Sequence, residues 1–274
     1  MIEGLTRTER FNIAAVEAWH RVPLLSQLSV AGARWAIRPL IQATLGWMVE
    51  AHHFERLAAL PRDRGLILCA NHRSFLDNFV VGASAMPFLP RRTRYVVPGR
   101  TEGIFDAWYG LALNAAVGAL NIYPPVVRSK RGHAWGQRVI GILRDLLIER
   151  RVTVLIHPEG GRNKGDDPYA LLPARPGLGR IIHESHATVV PVFLHGFPSS
   201  FGRYASVAAA RLRGAPPPVQ AVMGAPIDFS RELATPGSPA LFHGMAQRIT
   251  AEISALMPEE RALRASRGTT APRG

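Results

Sequence analysis

A single cysteine, Cys69, serves the whole 274-residue chain. That excludes an internal disulfide framework and a multi-cysteine zinc site, and makes a reducing compartment the simpler expectation. Lysine is nearly as scarce: Lys130 and Lys164 are the only two, so the positive charge is carried by arginine. No Gly-x-Ser-x-Gly turn occurs, so the nucleophile elbow of the α/β-hydrolase type is missing. The N-terminus mixes Glu3, Arg7, Glu9 and Arg10, and shows no basic head and apolar stretch of an export signal. Internal repeats are absent.

Hydrophobic residues make up 47% of the chain and charged residues 19%, the composition of a globular protein on the apolar side of average. A formal net charge of +13 implies attraction to anionic surfaces such as membranes, nucleic acids or phosphorylated metabolites. Arginine suits forked contacts to phosphate oxygens and a place at a lipid headgroup layer.

The spacing divides the chain into four parts. Over 1–58 a helical region is expected, with Leu24, Leu28, Ala31 and Trp35 one turn apart and Arg34, Arg38 and Gln42 on another face. Either this amphipathic segment anchors the protein at a membrane surface or it packs on the main domain. Pro39 should end or kink its first helix. From 59 to 232 strands alternate with helices: Leu66–Ala70, Tyr95–Pro98, Ala119–Tyr123, Val152–Ile156, Val189–Leu194 and Val219–Met223 read as strands. Residues 107–127 carry no charge, but Asn114, Gly118, Asn121 and two prolines interrupt them. A helix over Phe105–Ala116 followed by a strand is expected there rather than a membrane span. A C-terminal helix within 233–263, opened by Ser238-Pro239, should close the domain, and 264–274 reads as a disordered tail. The fold class is α/β: a layered domain with a largely parallel or mixed central sheet flanked by helices, plus an N-terminal helical segment.

Two clusters carry chemistry. In Asn71-His72-Arg73-Ser74-Phe75-Leu76-Asp77, His72 follows a strand directly and Asp77 enters the next helix. Histidine suits base work near neutrality, and a nearby carboxylate fixes its tautomer and supports the imidazolium. The bland alternative is a capping box in which Asp77 only satisfies a helix N-terminus. In His157-Pro158-Glu159-Gly160-Gly161-Arg162, two glycines allow close backbone approach to a ligand and Arg162 can fork onto phosphate. A tight turn with solvated charge is the alternative there. Cys69 reads as an inert core residue, and the scattered histidines, among them His183, His186 and His195, lack an organised ligand set, so no metal is expected.

Together these pieces, with Ile122-Tyr123-Pro124-Pro125-Val126-Val127-Arg128 and Val190-Pro191-Val192, resemble the glycerolipid acyltransferase family that includes the 1-acylglycerol-3-phosphate acyltransferases. The likeness runs through 65–227. Departures are His157, Gly161 and Asn163, where the family usually has Phe, Thr and Ser; they put the acceptor in doubt more than the reaction. The resemblance implies acyl transfer from a thioester to a lipid hydroxyl, with His72 and Asp77 as the base pair. It implies that Arg128 and Arg162 hold an acceptor phosphate, with Gly160 and Gly161 beside it, and that Glu159 positions the acceptor through a hydroxyl or through Arg162. No cofactor is implied beyond an acyl-CoA or acyl carrier protein thioester as co-substrate. Expected partners are a lysophospholipid and a membrane lipid surface, with no nucleic acid, at the cytoplasmic face of a membrane. Alternatives are an amino-lipid, glycolipid or other hydroxyl acceptor, or a noncatalytic basic lipid- or nucleic-acid-binding protein of the same fold.

Overall fold

The computed structural model describes residues 5–127, 133–149, 152–197, 209–210, 213–215 and 217–268. Helices α1 (Arg7–Arg21) and α2 (Pro23–Gly32) open the chain, and a π-helical turn (Ala33–Ile37) leads into α3 (Arg38–Leu45). Strand β1 (Val49–His52) and a 3-10 segment (Phe54–Ala59) follow. The central region runs β2 (Leu66–Ala70), α4 (Asp77–Ala85), β3 (Tyr95–Arg100), α5 (Gly110–Gly118), β4 (Ile122–Val126), α6 (His133–Glu149), β5 (Thr153–Ile156), α7 (Gly177–Ser185), β6 (Thr188–His195) and β7 (Val219–Met223). After a helical turn at Ser230–Leu233 come α8 (Pro239–Ser254) and α9 (Met257–Gly268).

The seven strands form one mixed sheet in the order β1-β7-β6-β2-β5-β3-β4. Among the described residues only β6 and β7 pair antiparallel; every other neighbouring pair is parallel. Parallel strands are covered on both faces, which is why β2 and β6 read as nearly unbroken apolar runs. The pleat sends Ile67, Cys69, Val189 and Phe193 to one face, against α6, α7 and α8. Leu66, Leu68, Val190 and Val192 go to the other, against α4 and the 3-10 segment. Each such fully buried aliphatic side chain is worth about 1.5–3 kcal/mol. Cys69 is completely buried, and burial pushes its thiol far above the ordinary range, so it is inert.

Several elements depart from the sequence reading. Inside the expected helical region 1–58, Val49–His52 forms an edge strand because pairing with β7 overrides local helical pattern. The uncharged stretch holds a shorter and later helix than Phe105–Ala116. Thr101 O accepts the N–H groups of Ile104, Phe105 and Asp106, which coils the chain into turns before Gly110. Ala119 and Leu120 then take left-handed backbone angles of 48° and 63°, which ends α5 and delays the strand from Ala119 to Ile122. Two helices and a turn replace the single C-terminal helix. Moreover, α9 runs to Gly268, so 264–268 are not tail: Arg264 is fastened to Glu260 and to Pro218 O. The rest of the expected tail lies outside the described residues, as does Arg128.

Pro39 lies in the first turn of α3, directly after the π-helical turn, a position where the lack of an N–H is tolerated. Around that bend the orientation is the reverse of a packed amphipathic helix. Ser26, Ser29 and Ala33 are buried, whereas Leu24, Leu28 and Trp35 are more than half exposed. Arg34 donates to the carbonyls of Leu89 and Pro90, and Arg38 to that of Ala83. Among the described residues no helix is long and apolar enough to cross a membrane.

Candidate functional site

Strands β2 and β5 are parallel neighbours, so the loops that leave their C-terminal ends meet at one rim, the usual place for sites in open α/β sheets. Asn71, buried at the end of β2, exchanges side-chain hydrogen bonds with the backbone N–H and C=O of Leu194 at 2.7 and 2.8 Å. This pins the strand end and launches His72 toward the rim.

His72 Nδ1 lies 3.0 Å from Asp77 Oδ2. The contact fixes the proton on Nδ1 and makes Nε2 the basic nitrogen. The same Asp77 oxygen accepts the backbone N–H groups of Arg73 and Ser74 at 2.7 and 2.8 Å. Asp77 therefore braces the loop as well as the ring; of the capping box only the Ser74 N–H to Asp77 half is present, because Ser74 Oγ accepts the Leu76 N–H instead. Burial raises the Asp77 carboxyl to about 6; the two backbone donors and Arg162 hold it from going higher.

Glu159 is 4% exposed, and its two oxygens accept the N–H groups of His72 at 2.8 Å and Leu172 at 2.9 Å. Burial raises its carboxyl above the usual range, opposed by those two donors. With both oxygens committed to backbone, its observed contacts tie two loops together. Gly160 has φ +63°, the left-handed region that favours glycine, and a Cβ there would come 3.1 Å from Arg175 Cγ, so that side chain would have to give by a few tenths of an ångström. Asn163, at a departure from the family pattern, is turned inward: its side chain bonds Ala170 O and Gly165 N, and its N–H donates to His72 O. Arg73 clamps the same loop through the carbonyls of Asp167 and Gly165.

Arg162 lies with its guanidinium carbon 3.6 Å from the Phe75 ring centroid, a cation–π contact at the lip of the site. Phe75 and His72 both line a cavity of about 530 Å³. That cavity exists because the sheet parts: β3 pairs with β5 only at Tyr95↔Thr153 and Val96↔Val154, then follows β4 alone. Leu155, Ile156 and His157 form one side of the gap and Val97, Gly99 and Arg100 the other. Its deeper walls are mostly apolar and come from both faces of the sheet, including Met86, Val139, Leu143 and Ile181.

Two site residues have no direct counterpart in the sequence reading. His157 appears there only as a departure from phenylalanine, yet its ring stacks on His72. Asn78, which carries no motif signal, touches His157 Nε2. Among the described residues no group of three or more His, Cys, Asp or Glu side chains is arranged to hold a metal ion.

Residues 51–195, more than half of the chain, match the family model described as Acyltransferase. Comparison with curated proteins gives no match.

Proposed function

Because the chain belongs to the glycerolipid acyltransferase family and so carries an acyl-transfer domain, we propose that it moves a fatty acyl group from an acyl-CoA or acyl carrier protein thioester to a hydroxyl of a lysophospholipid such as 1-acylglycerol-3-phosphate. The observation that carries this reading is the His72–Asp77 pair, 3.0 Å apart at the mouth of a largely apolar cavity. His72 Nε2 takes the hydroxyl proton as the oxygen attacks the thioester carbonyl. The new C–O bond forms, the C–S bond breaks, and the leaving thiolate recovers the proton from His72. Asp77 supports the imidazolium between those steps. A cavity lined from both sheet layers suits an acyl chain, and Arg162 at its lip suits the phosphate of an acceptor. In this reading Glu159 sets the loops that carry His72 and Arg162 and does not touch the acceptor.

The outward stripe of Leu24, Leu28 and Trp35, with Trp108 89% exposed before α5, supports docking at a membrane surface, which in this reading is a cytoplasmic face. Aromatic rings suit the headgroup boundary.

The test supplies radiolabelled acyl-CoA and acyl carrier protein thioesters with a panel of lysophospholipid, amino-lipid and glycolipid acceptors, and identifies products by mass spectrometry. Transfer to phosphorylated lysolipids is expected, and His72→Ala should lower it about a hundred- to ten-thousandfold. Arg162→Ala should raise the KM for phosphorylated acceptors. Near-normal transfer by a folded His72→Ala protein overturns the mechanism; transfer only to uncharged acceptors overturns the acceptor class.

A further inference from the structure

His157 follows β5 directly, and its ring lies parallel to that of His72, with centroids 4.0 Å apart and planes 9° from each other. Both of its nitrogens are engaged. Nδ1 is 2.8 Å from Ala70 O, a carbonyl that can only accept, so Nδ1 carries a proton. Nε2 is 2.6 Å from the side-chain amide of Asn78, which can accept from a protonated ring or, turned by half a rotation, donate to a neutral one. The ring is thus fastened at both edges to β2 and α4, the two elements that also carry His72 and Asp77. A site that needed only an apolar floor beneath the base has no use for these two bonds.

We propose that His157 is a positioning residue for the base: its ring face fixes the plane of His72 so that Nδ1 meets Asp77, and favours the imidazolium that forms when His72 takes a proton. The physical cause is the attraction between a cation and an aromatic face, which exists only once His72 is charged. An interaction made only after proton transfer lowers the barrier rather than merely tightening the ground state. For the platform to work His157 itself must stay neutral. Burial and the neighbouring His72 lower its proton affinity to about 4, against the opposing pull of Asp77. The charged groups around the pair are Asp77 from α4, Glu159 and Arg162 from the β5–α7 loop, Arg73 from the β2–α4 loop and Arg175 at the entry to α7. Arg38, Arg100 and Glu102 share the cavity farther off.

The inference rests on His72 acting as a base, so its test reads proton affinity directly as well as activity. Histidine ring carbons are labelled, and the His72 resonance is titrated by NMR in the wild type, His157→Phe and His157→Leu. The two variants both lose the edge bonds and have similar bulk, but only phenylalanine keeps an aromatic face. We expect His72 in His157→Leu to titrate about half a pH unit or more below its value in His157→Phe, with the phenylalanine protein close to wild type. The acid limb of kcat/KM should move the same way. Equal titration in the two folded variants overturns the proposal, whether or not acyl transfer is observed. Absence of acyl transfer by the wild type overturns the proposed function alone. Should His157→Leu fail to fold, His157→Met against His157→Phe makes the same comparison.

Discussion

Glu159 and His72 are joined through the backbone: one carboxylate oxygen of the glutamate accepts the histidine N–H at 2.8 Å, while the other holds Leu172 N–H at 2.9 Å. Glutamine has a single accepting oxygen and must abandon one of the two amides. Glu159→Gln should cost about 1–3 kcal/mol of stability. It should also lower kcat about ten- to hundredfold, because a base displaced by a fraction of an ångström loses rate steeply. Denaturant unfolding and steady-state kinetics with both substrates check this. A fully active and fully stable variant removes Glu159 from the machinery.

The buried Asp77 carboxyl, raised to about 6, gives a pH dependence with a definite sign. Only the ionised form supports the imidazolium, so activity should fall as pH drops through about 6. What is measured there belongs to the His72–Asp77 pair jointly. For folding the sign is opposite. A carboxyl whose proton affinity is higher in the folded state stabilises the fold below its unfolded value near 4, and that contribution is lost as pH rises through about 6. Asp77→Asn should therefore flatten the stability profile over that window while nearly abolishing transfer. Thermal unfolding between pH 4 and 8 reads the first effect, a rate assay the second.

Attachment to lipid is better tested by substitution than by removing 1–58. That cut would take β1 from the sheet and, with α1, the two bonds at 2.9 Å from Asn12 to the carbonyls of Phe105 and Ala107. Replacing Leu24, Leu28 and Trp35 together with serine alters only exposed positions. Cosedimentation with anionic vesicles should fall at least tenfold while the melting temperature holds within a few degrees. Unchanged partition removes this face from any membrane contact.

Glu260 is wholly buried, where burial alone would raise its carboxyl. Hydrogen bonds from His195, Tyr169 and Arg264 outweigh that and bring it to about 2. Its stabilising effect is present above the unfolded value of about 4.5 and is lost as pH falls through about 2. At neutral pH Glu260→Gln should cost about 1.5–3 kcal/mol. Because Tyr169 sits in the loop that carries Leu172 and Asn163, the same change should raise protease sensitivity between 163 and 172. Limited proteolysis with peptide mapping measures it.

Much of this molecule is legible in its sequence where one side chain settles the matter. The interior strands stand out because burial on both faces demands continuous apolar runs, and β2 and β7 fall at the boundaries read from Leu66–Ala70 and Val219–Met223. His72 and Asp77 stand out because five positions carry a histidine at a strand end to the first residue of a helix. What stayed hidden depends on distant partners. The pairing of Val49–His52 with β7 cannot be seen without β7 itself, and the left-handed pair Ala119–Leu120 uses residues that seldom adopt that conformation. What Glu159 holds is hidden because nothing in Glu-Gly-Gly-Arg says that both of its oxygens face backbone. His157 was in view as a departure from phenylalanine, but only the coordinates show what its ring lies against.

The bond between Tyr169 and Glu260 spans from the middle of the chain to its final helix, well beyond the stretch that the family match covers. On the ribosome, His72 and Asp77 emerge long before the segment bearing Glu260 has been synthesised. The loop beside the base must then wait for its clasp, and a fragment trimmed to the matched stretch would keep the reacting pair without it. The bond from Glu260 can therefore be added to the loop only after the rest of its holds are in place, and the boundary of the matched stretch is not a boundary of the packed structure.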